Sequence, residues 1–217
     1  MAFGYPVFLE MTGRPAVVVG KEAVRAGKVE ALIDAGARVT VVATGPVARL
    51  EQLAGRGVSI ERRGYLPGDL AGAFLCVAAS DDPSVRSSIA AEARARGVLV
   101  NVMDDVPNCD FAAPAIVRRG DLQIAIGTGG RSPGLARRLR EELSERYGPE
   151  WAEVVRVIGD VRTDTLTALP DLAERARRWS DALDLDELVR LVREGRSAEA
   201  AGRLTARLLA QPAEVGV

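Results

Sequence analysis

Residues 15–42 read PAVVVGKEAVRAGKVEALIDAGARVTVV, and the order of residue types within them decides the fold. Ala16–Val19 is a short run rich in valine, with no polar residue alternating through it. Gly20 ends the run. Ala26, Val29, Leu32 and Ile33 then recur at helical spacing on one face, and Gly36 follows as a C-cap. A second β-branched run, Arg38–Val42 (RVTVV), comes next. Two strands apolar on both faces and joined by a helix form a parallel pair buried on both sides, with a right-handed crossover.

Outward from that unit the pattern repeats. Val58–Glu61, Phe74–Ala78 (FLCVA) and Val98–Val102 (VLVNV) read as three further strands. A helix starts at Asp82-Pro83, where an acidic N-cap precedes a proline at the first helical position. The expectation is a Rossmann-like α/β domain with a parallel sheet over residues 1–113. Phe111–Val117 and Leu122–Ile126 read as two more strands, joined by the turn Arg119-Gly120-Asp121. A glycine-rich TGGRSP segment follows, then a helix from Pro133 with Leu135, Leu139 and Leu143 in register. Beyond residue 148 the chain reads as helices only: Trp151, Val154, Val155 and Ile158 share one face, as do Leu185, Leu188, Val189 and Val192. The predicted plan is 1–113, a small linking layer at 114–147, and a helical domain at 148–217.

Composition narrows the chemistry. The 217 residues are 47% hydrophobic and 27% charged, which is ordinary for a globular protein. A net charge of −1 gives no pull toward nucleic acid or an anionic membrane. Lys21 and Lys28 are the only lysines; arginine supplies every other basic side chain. Histidine is absent, so a Ser-His-Asp or Cys-His triad and any histidine metal site are excluded. Proton transfer must then fall to Asp, Glu, Tyr, Cys or Lys. The two cysteines, Cys76 and Cys109, suggest a reducing compartment. No apolar run approaches the roughly 18 residues of a membrane span, and MAFGYPVFLEM has no basic region ahead of a long apolar stretch. The expected location is the cytoplasm.

Several residues could carry function. Gly20 meets the need for a tight strand-to-helix turn beneath a pyrophosphate, but Glu22 and Arg25 stand where a dinucleotide fingerprint has its other glycines. The stretch VTVVATGP at 39–46 lacks the carboxylate that normally holds the ribose, leaving Thr44 or backbone groups for that task. Ser80-Asp81-Asp82 ends the fourth strand and Met103-Asp104-Asp105 follows the fifth; both belong at the carboxyl edge where ligands bind. Asp82 reads as a helix cap. Asp104 and Asp105 have no helix to cap and are either a solvated turn or a catalytic pair. Ser132 is an N-cap candidate, and the amides of Gly129 and Gly130 with Arg131 could hold a carboxylate or phosphate, or simply start a helix. Cys109 reads as a structural thiol, since no histidine is present to activate it.

The segments YPVFLEMTGRPAVVVG (5–20), DAGARVTVVA (34–43), CVAASDDPSV (76–85) and NVMDDVPNCDFAAPAIVRRGDLQIAIGTGGRSPGLARRLRE (101–141), with Lys28, occur in a familiar order. Over about residues 5–165 the chain resembles the precorrin-2 dehydrogenase family of sirohaem biosynthesis. That family includes sirohydrochlorin ferrochelatases and the N-terminal part of bifunctional sirohaem synthases. In the resemblance a proline-led strand opens the chain. It implies an intertwined homodimer, with 114–147 as the dimerisation segment, that oxidises precorrin-2 to sirohydrochlorin with NAD⁺; some members also insert ferrous iron. The family's essential aspartate falls on Asp104. Its nucleotide contacts fall on Gly20, Ala23, Val24, Thr44 and Gly45, with Ser80 beside them. With a tetrapyrrole substrate, the anion site read at Gly129, Gly130 and Arg131 becomes the candidate substrate contact. Thr128 stands where bifunctional relatives carry a phosphorylatable serine. Members usually have three glycines where this chain has Gly20-Lys21-Glu22, and asparagine where it has Arg86.

The implied chemistry is hydride removal to the nicotinamide with Asp104 accepting a proton, in a partly desolvated crevice that would raise its pKa. A substrate with many carboxylates makes Arg118, Arg119, Arg131, Arg137 and Arg138 candidate anchors. No metal site, nucleic-acid partner or membrane partner is expected. Two other readings fit the departures: a chelatase or tetrapyrrole carrier without dehydrogenase activity, and a non-catalytic nucleotide-sensing dimer.

Overall fold

The computed structural model describes residues 4–20, 22–44 and 48–210. The chain divides into two compact units, Met1–Ala113 and Pro114–Val217.

The first unit is a five-stranded sheet of β1 (Pro15–Gly20), β2 (Arg38–Val42), β3 (Val58–Glu61), β4 (Leu75–Ala79) and β5 (Leu99–Val102), in the order β3-β2-β1-β4-β5. Every pairing is parallel. Successive side chains on β1 alternate between two cores, which is why its run shows no polar alternation. Ala16 and Val18 join Val29 of α1 (Glu22–Asp34), Val39, Val41, Leu50, Leu75 and Val77. Val17 and Val19 join Cys76, Ala78, Val100, Val102 and the buried Ile89, Ala90 and Ala93 of α3 (Pro83–Arg96). A four-residue helix, α2 (Ala48–Glu51), lies between β2 and β3.

Local signals set the helix ends. Gly36, at φ 83°, ends α1 with Ala37 N donating to Leu32 O at 3.0 Å. Asp82 caps α3 through Ser84 N at 2.8 Å, with Pro83 in the first turn. Gly97 closes the same helix, and Val98 N donates to Ala93 O at 2.9 Å, so β5 begins at Leu99 rather than Val98.

The second unit begins with an antiparallel hairpin, β6 (Ala115–Arg119) and β7 (Leu122–Ile126), in the register Val117↔Ile124. Five helices follow: α4 (Pro133–Arg146), α5 (Trp151–Thr165), α6 (Leu172–Ala182), α7 (Leu185–Arg193) and α8 (Ser197–Leu209). Val154, Val157 and Val161 of α5 pack with Leu188, Leu191, Ala200, Leu204 and Leu208. At about 1.5–3 kcal/mol for each large apolar side chain removed from water, this is the main term holding the four C-terminal helices together.

Other sequence expectations also shift, β4 by one residue, from the expected Phe74–Ala78 to Leu75–Ala79. The opening YPVFLEM forms no strand: residues 4–10 have no regular secondary structure, and Tyr5, Val7 and Phe8 are exposed. A lone extended segment without a paired neighbour has no ladder to stabilise it. The strand expected from Phe111 starts at Ala115, because Pro114 has no N–H to donate, while Phe111 packs on the sheet core and its carbonyl accepts from Asn101 Nδ2 at 2.8 Å. In α4 the buried residue is Ala136, and Leu135 is exposed. In the last helices Val157 and Leu191 take core positions that periodicity assigned to Val155 and Leu185; Leu185, the first residue of α7, is exposed. Among the described residues no helix is long and apolar enough to cross a membrane.

Candidate functional site

The strand order reverses direction between β1 and β4, which opens a crevice at their carboxyl ends. Gly20 forms its floor at φ 122°, and a Cβ there would lie 1.7 Å from the Ala79 carbonyl oxygen. Only glycine fits that approach. Ala23 and Val24 lie in the first turn of α1, whose free amides open toward the same edge. Lys21 and Gly45 lie outside the described residues. Thr44 stands just beyond β2 and is exposed.

This arrangement fits a dinucleotide: a glycine-only turn leads into a helix N-terminus that can take a pyrophosphate. The ribose carboxylate missing from β2 has a neighbour that sequence reasoning passed over. Glu61 pairs opposite Val42 in the β2–β3 register, so a carboxylate does reach this edge, from the adjacent strand.

Ser80 continues β4. Its Oγ accepts from Asp82 N at 3.2 Å, and its carbonyl accepts from Arg86 at 2.8 Å. Asp82 is the helix cap expected of it, and its bonds from Ser84 hold its carboxyl below the ordinary carboxylate range.

Beyond β5, Met103 N donates to Ala78 O at 2.8 Å and Asp105 N to Val102 O at 3.2 Å, closing a tight turn. Asp104 is its third residue and has φ 60°, the only positive φ outside glycine among the described residues. An L-residue is rarely held there, and such strain gathers at functional sites. The Asp104 side chain is exposed and has no hydrogen-bond or ion-pair partner among the described residues. The desolvated surroundings expected for it are therefore not supplied by this unit. Its neighbour is tied down: Asp105 accepts from Asn108 Nδ2 at 3.0 Å and lies 3.4 Å from Arg86 Nε.

Cys109 is structural, as expected. Its thiol donates to Val102 O at 3.0 Å and accepts from Val102 N at 3.2 Å, and burial raises its pKa. Cys76 is enclosed in the core, where burial pushes its pKa to about 12.

The glycine-rich loop belongs to the second unit. The Thr128 hydroxyl donates to Ser132 O at 3.2 Å and accepts from Ser132 N at 3.1 Å, pinching the loop. Gly129 and Gly130 have φ 61° and 77°, and Ser132 caps α4 through Leu135 N at 3.1 Å. The candidate arginines separate by their partners. Arg119 donates to the carbonyls of Tyr147 at 2.8 Å and Ser144 at 3.0 Å, binding the end of α4 to the hairpin. Arg118 bonds to Gln123, and Arg138 to Glu142. Arg131 and Arg137 are exposed, with no ion pair among the described residues.

Residues 7–115 match a family described as putative NAD(P)-binding, and residues 119–146 match one described as the central part of sirohaem biosynthesis proteins. The chain belongs to the family described as putative NAD(P)-binding. It is 35% identical over 196 residues to a siroheme synthase of Methylococcus capsulatus, covering 90% of this chain and 41% of that protein. A siroheme synthase of Pectobacterium atrosepticum is 36% identical over 212 residues, covering 96% and 44%. The chain thus spans less than half the length of these family members. A solved precorrin-2 dehydrogenase, SirC, shares the fold at a TM-score of 0.73 and 24% identity, covering 93% of this chain and 98% of that one.

Proposed function

We propose that this family member oxidises precorrin-2 to sirohydrochlorin in the cytoplasm, with NAD⁺ as the hydride acceptor. The observation that carries the reading is Asp104: an exposed, unpaired carboxylate held in a left-handed turn at the sheet edge that also holds Gly20 and Ser80. Bound at the crevice, NAD⁺ would supply the two-electron acceptor. Gly20 leaves room for the pyrophosphate, the first amides of α1 (including those near Ala23 and Val24) meet its charge, and the Ser80 hydroxyl has a proton to donate. Thr44 would face the ribose; Gly45, assigned with it to the nucleotide, lies outside the described residues.

Asp104 then accepts the proton that the tetrapyrrole releases as its hydride leaves. Gly129, Gly130 and Arg131 are assigned to the substrate's carboxylates, joined by Arg137. NAD⁺ is favoured over NADP⁺ by the side chains near β2. Arg62 is paired to Glu51, and Arg63 to Asp69 and, at 3.6 Å, to Glu61, so both guanidiniums already have carboxylate partners and neither is free for a 2′-phosphate. The free thiols Cys76 and Cys109 suit a reducing cytoplasm. In this reading residues 1–113 bind cofactor, 114–147 join two copies into a homodimer, and 148–217 form a helical domain.

The test is anaerobic incubation of precorrin-2 with the purified protein, with and without NAD⁺, following NADH and sirohydrochlorin absorbance together. Both rise only when protein and NAD⁺ are present. If neither rises, the assignment fails, and sirohydrochlorin with ferrous iron then tests a chelatase without dehydrogenase activity.

A further inference from the structure

Arg86 lies in the first turn of α3 and reaches across the ends of two neighbouring strands. One terminal nitrogen donates to the Ser80 carbonyl at 2.8 Å, where β4 ends. Its Nε sits 3.4 Å from Asp105 Oδ2, beyond the end of β5. That Nε is sealed from solvent and has no hydrogen bond, so its tie to Asp105 is one of charge. A buried N–H without a hydrogen bond is unfavourable, and the placement therefore calls for a reason beyond ordinary fold satisfaction. Asp105 is in turn fixed by Asn108 on the carboxylate and by Val102 on the amide. Met103, on the other flank of Asp104, is fixed to Ala78. Both neighbours of Asp104 are pinned, while its own carboxylate is left unpaired.

We propose that Arg86 is a positioning residue for the reaction. By neutralising and anchoring Asp105, it holds the turn that presents Asp104, and it keeps two adjacent carboxylates from competing for one role. The inference rests on the reading of Asp104 as the proton acceptor. Arg86 acts through Asp105 and touches neither reacting atom. A short polar side chain at position 86 would not span both strand ends. A lysine would restore the charge against Asp105 but lose the fork that also reaches Ser80.

The test compares Arg86→Met, Arg86→Lys, Asp105→Asn and the Arg86→Met/Asp105→Asn double variant, with Asp104→Asn as reference. The readouts are kcat, KM for NAD⁺ and for precorrin-2, and the melting temperature of the protein without cofactor. Arg86→Met should lower kcat about tenfold or more with both KM values within about twofold, and Arg86→Lys should recover most of that loss. The double variant should be no slower than the slower single one, and melting temperatures should show the same non-additivity, because both changes remove one interaction. Full activity in Arg86→Met, or losses that multiply in the double variant, would overturn the proposal. So would a kcat loss matched by a rise in KM for NAD⁺, which would make Arg86 a cofactor contact. If Asp104→Asn itself keeps full turnover, the reading of the site fails and takes this proposal with it; an inactive Asp104→Asn beside a fully active Arg86→Met removes the positioning role alone.

Discussion

The carbonyl oxygen of Ala79 lies 1.7 Å from where a Cβ on Gly20 would sit, although the two residues are separated by most of the nucleotide unit in sequence. The contact follows from β1 and β4 lying side by side with Gly20 opposite Ala79. A side chain at position 20 would have to push the strand ends apart while also adopting a φ of 122°. Gly20→Ala should therefore cost on the order of 2–4 kcal/mol of stability from overpacking and backbone strain combined. It should also weaken NAD⁺ binding beyond detection at millimolar cofactor. Thermal melting with and without NAD⁺ checks both; an unchanged melting temperature would show that the strands part easily.

Asp104 carries strain that glycine would not. Asp104→Gly should stabilise the protein by about 1 kcal/mol, since an L-residue in the left-handed region costs about that much. The same change should abolish turnover. Asp104→Asn should leave stability within about 0.5 kcal/mol, because Asn tolerates this backbone nearly as well, and should also lose activity. Urea unfolding beside the anaerobic assay separates the two effects. A stable and active Asp104→Gly would dismiss the carboxylate.

The arginines of the second unit divide into anchors of the fold and candidates for substrate. Arg119→Ala removes the bonds to Ser144 and Tyr147 and leaves carbonyls at the end of α4 unsatisfied, so a loss of about 1–3 kcal/mol is expected. Arg131→Ala removes no side-chain partner among the described residues and should leave the melting temperature unchanged while raising KM for the tetrapyrrole several-fold. The opposite assignment of effects would reverse the roles of these two residues.

Asp69 offers a pH-dependent check on the first unit. Arg63 grips its carboxylate with two bonds of 2.8 Å, and Leu66 N adds a third at 2.8 Å, which holds its pKa below the ordinary 3.8. A depressed carboxylate stabilises the fold above its unfolded pKa, and that contribution disappears as pH falls through the folded value. Arg63 is about one-third exposed, so solvent screening limits the effect to about 1 kcal/mol. Asp69→Asn should lose that amount at pH 7, and the difference from the parent protein should close as acid brings the medium below pH 3.8. A gap that persists in acid would assign the loss to packing instead.

The sheet was legible because strands buried on both faces must be apolar on both faces, and no other element writes five short β-branched runs between helical patterns. The caps at Asp82 and Ser132 were legible for a local reason: each acts on an amide two or three residues away. The C-terminal helices were legible as helices but less so as faces. Periodicity fixes a stripe only to within about one residue, and packing of α5 against its partners chose Val157 over Val155. The opening strand was misread because an apolar run shows what a segment could pair as, not whether a neighbour is there to pair with.

The sequence by itself determined the five sheet strands and that they run parallel, the two capped helices, and the placing of Asp104 after the fifth strand. It also excluded histidine chemistry outright. Tertiary structure alone decided which member of the Asp104-Asp105 pair is free, because Arg86 reaches Asp105 from the first turn of α3. It decided that Arg119 serves α4 while Arg131 stays unpaired, and that Glu61 brings a carboxylate to the edge where β2 has none. Each of these depends on partners far apart in the chain, and a linear pattern carries no information about a partner until the fold brings it near.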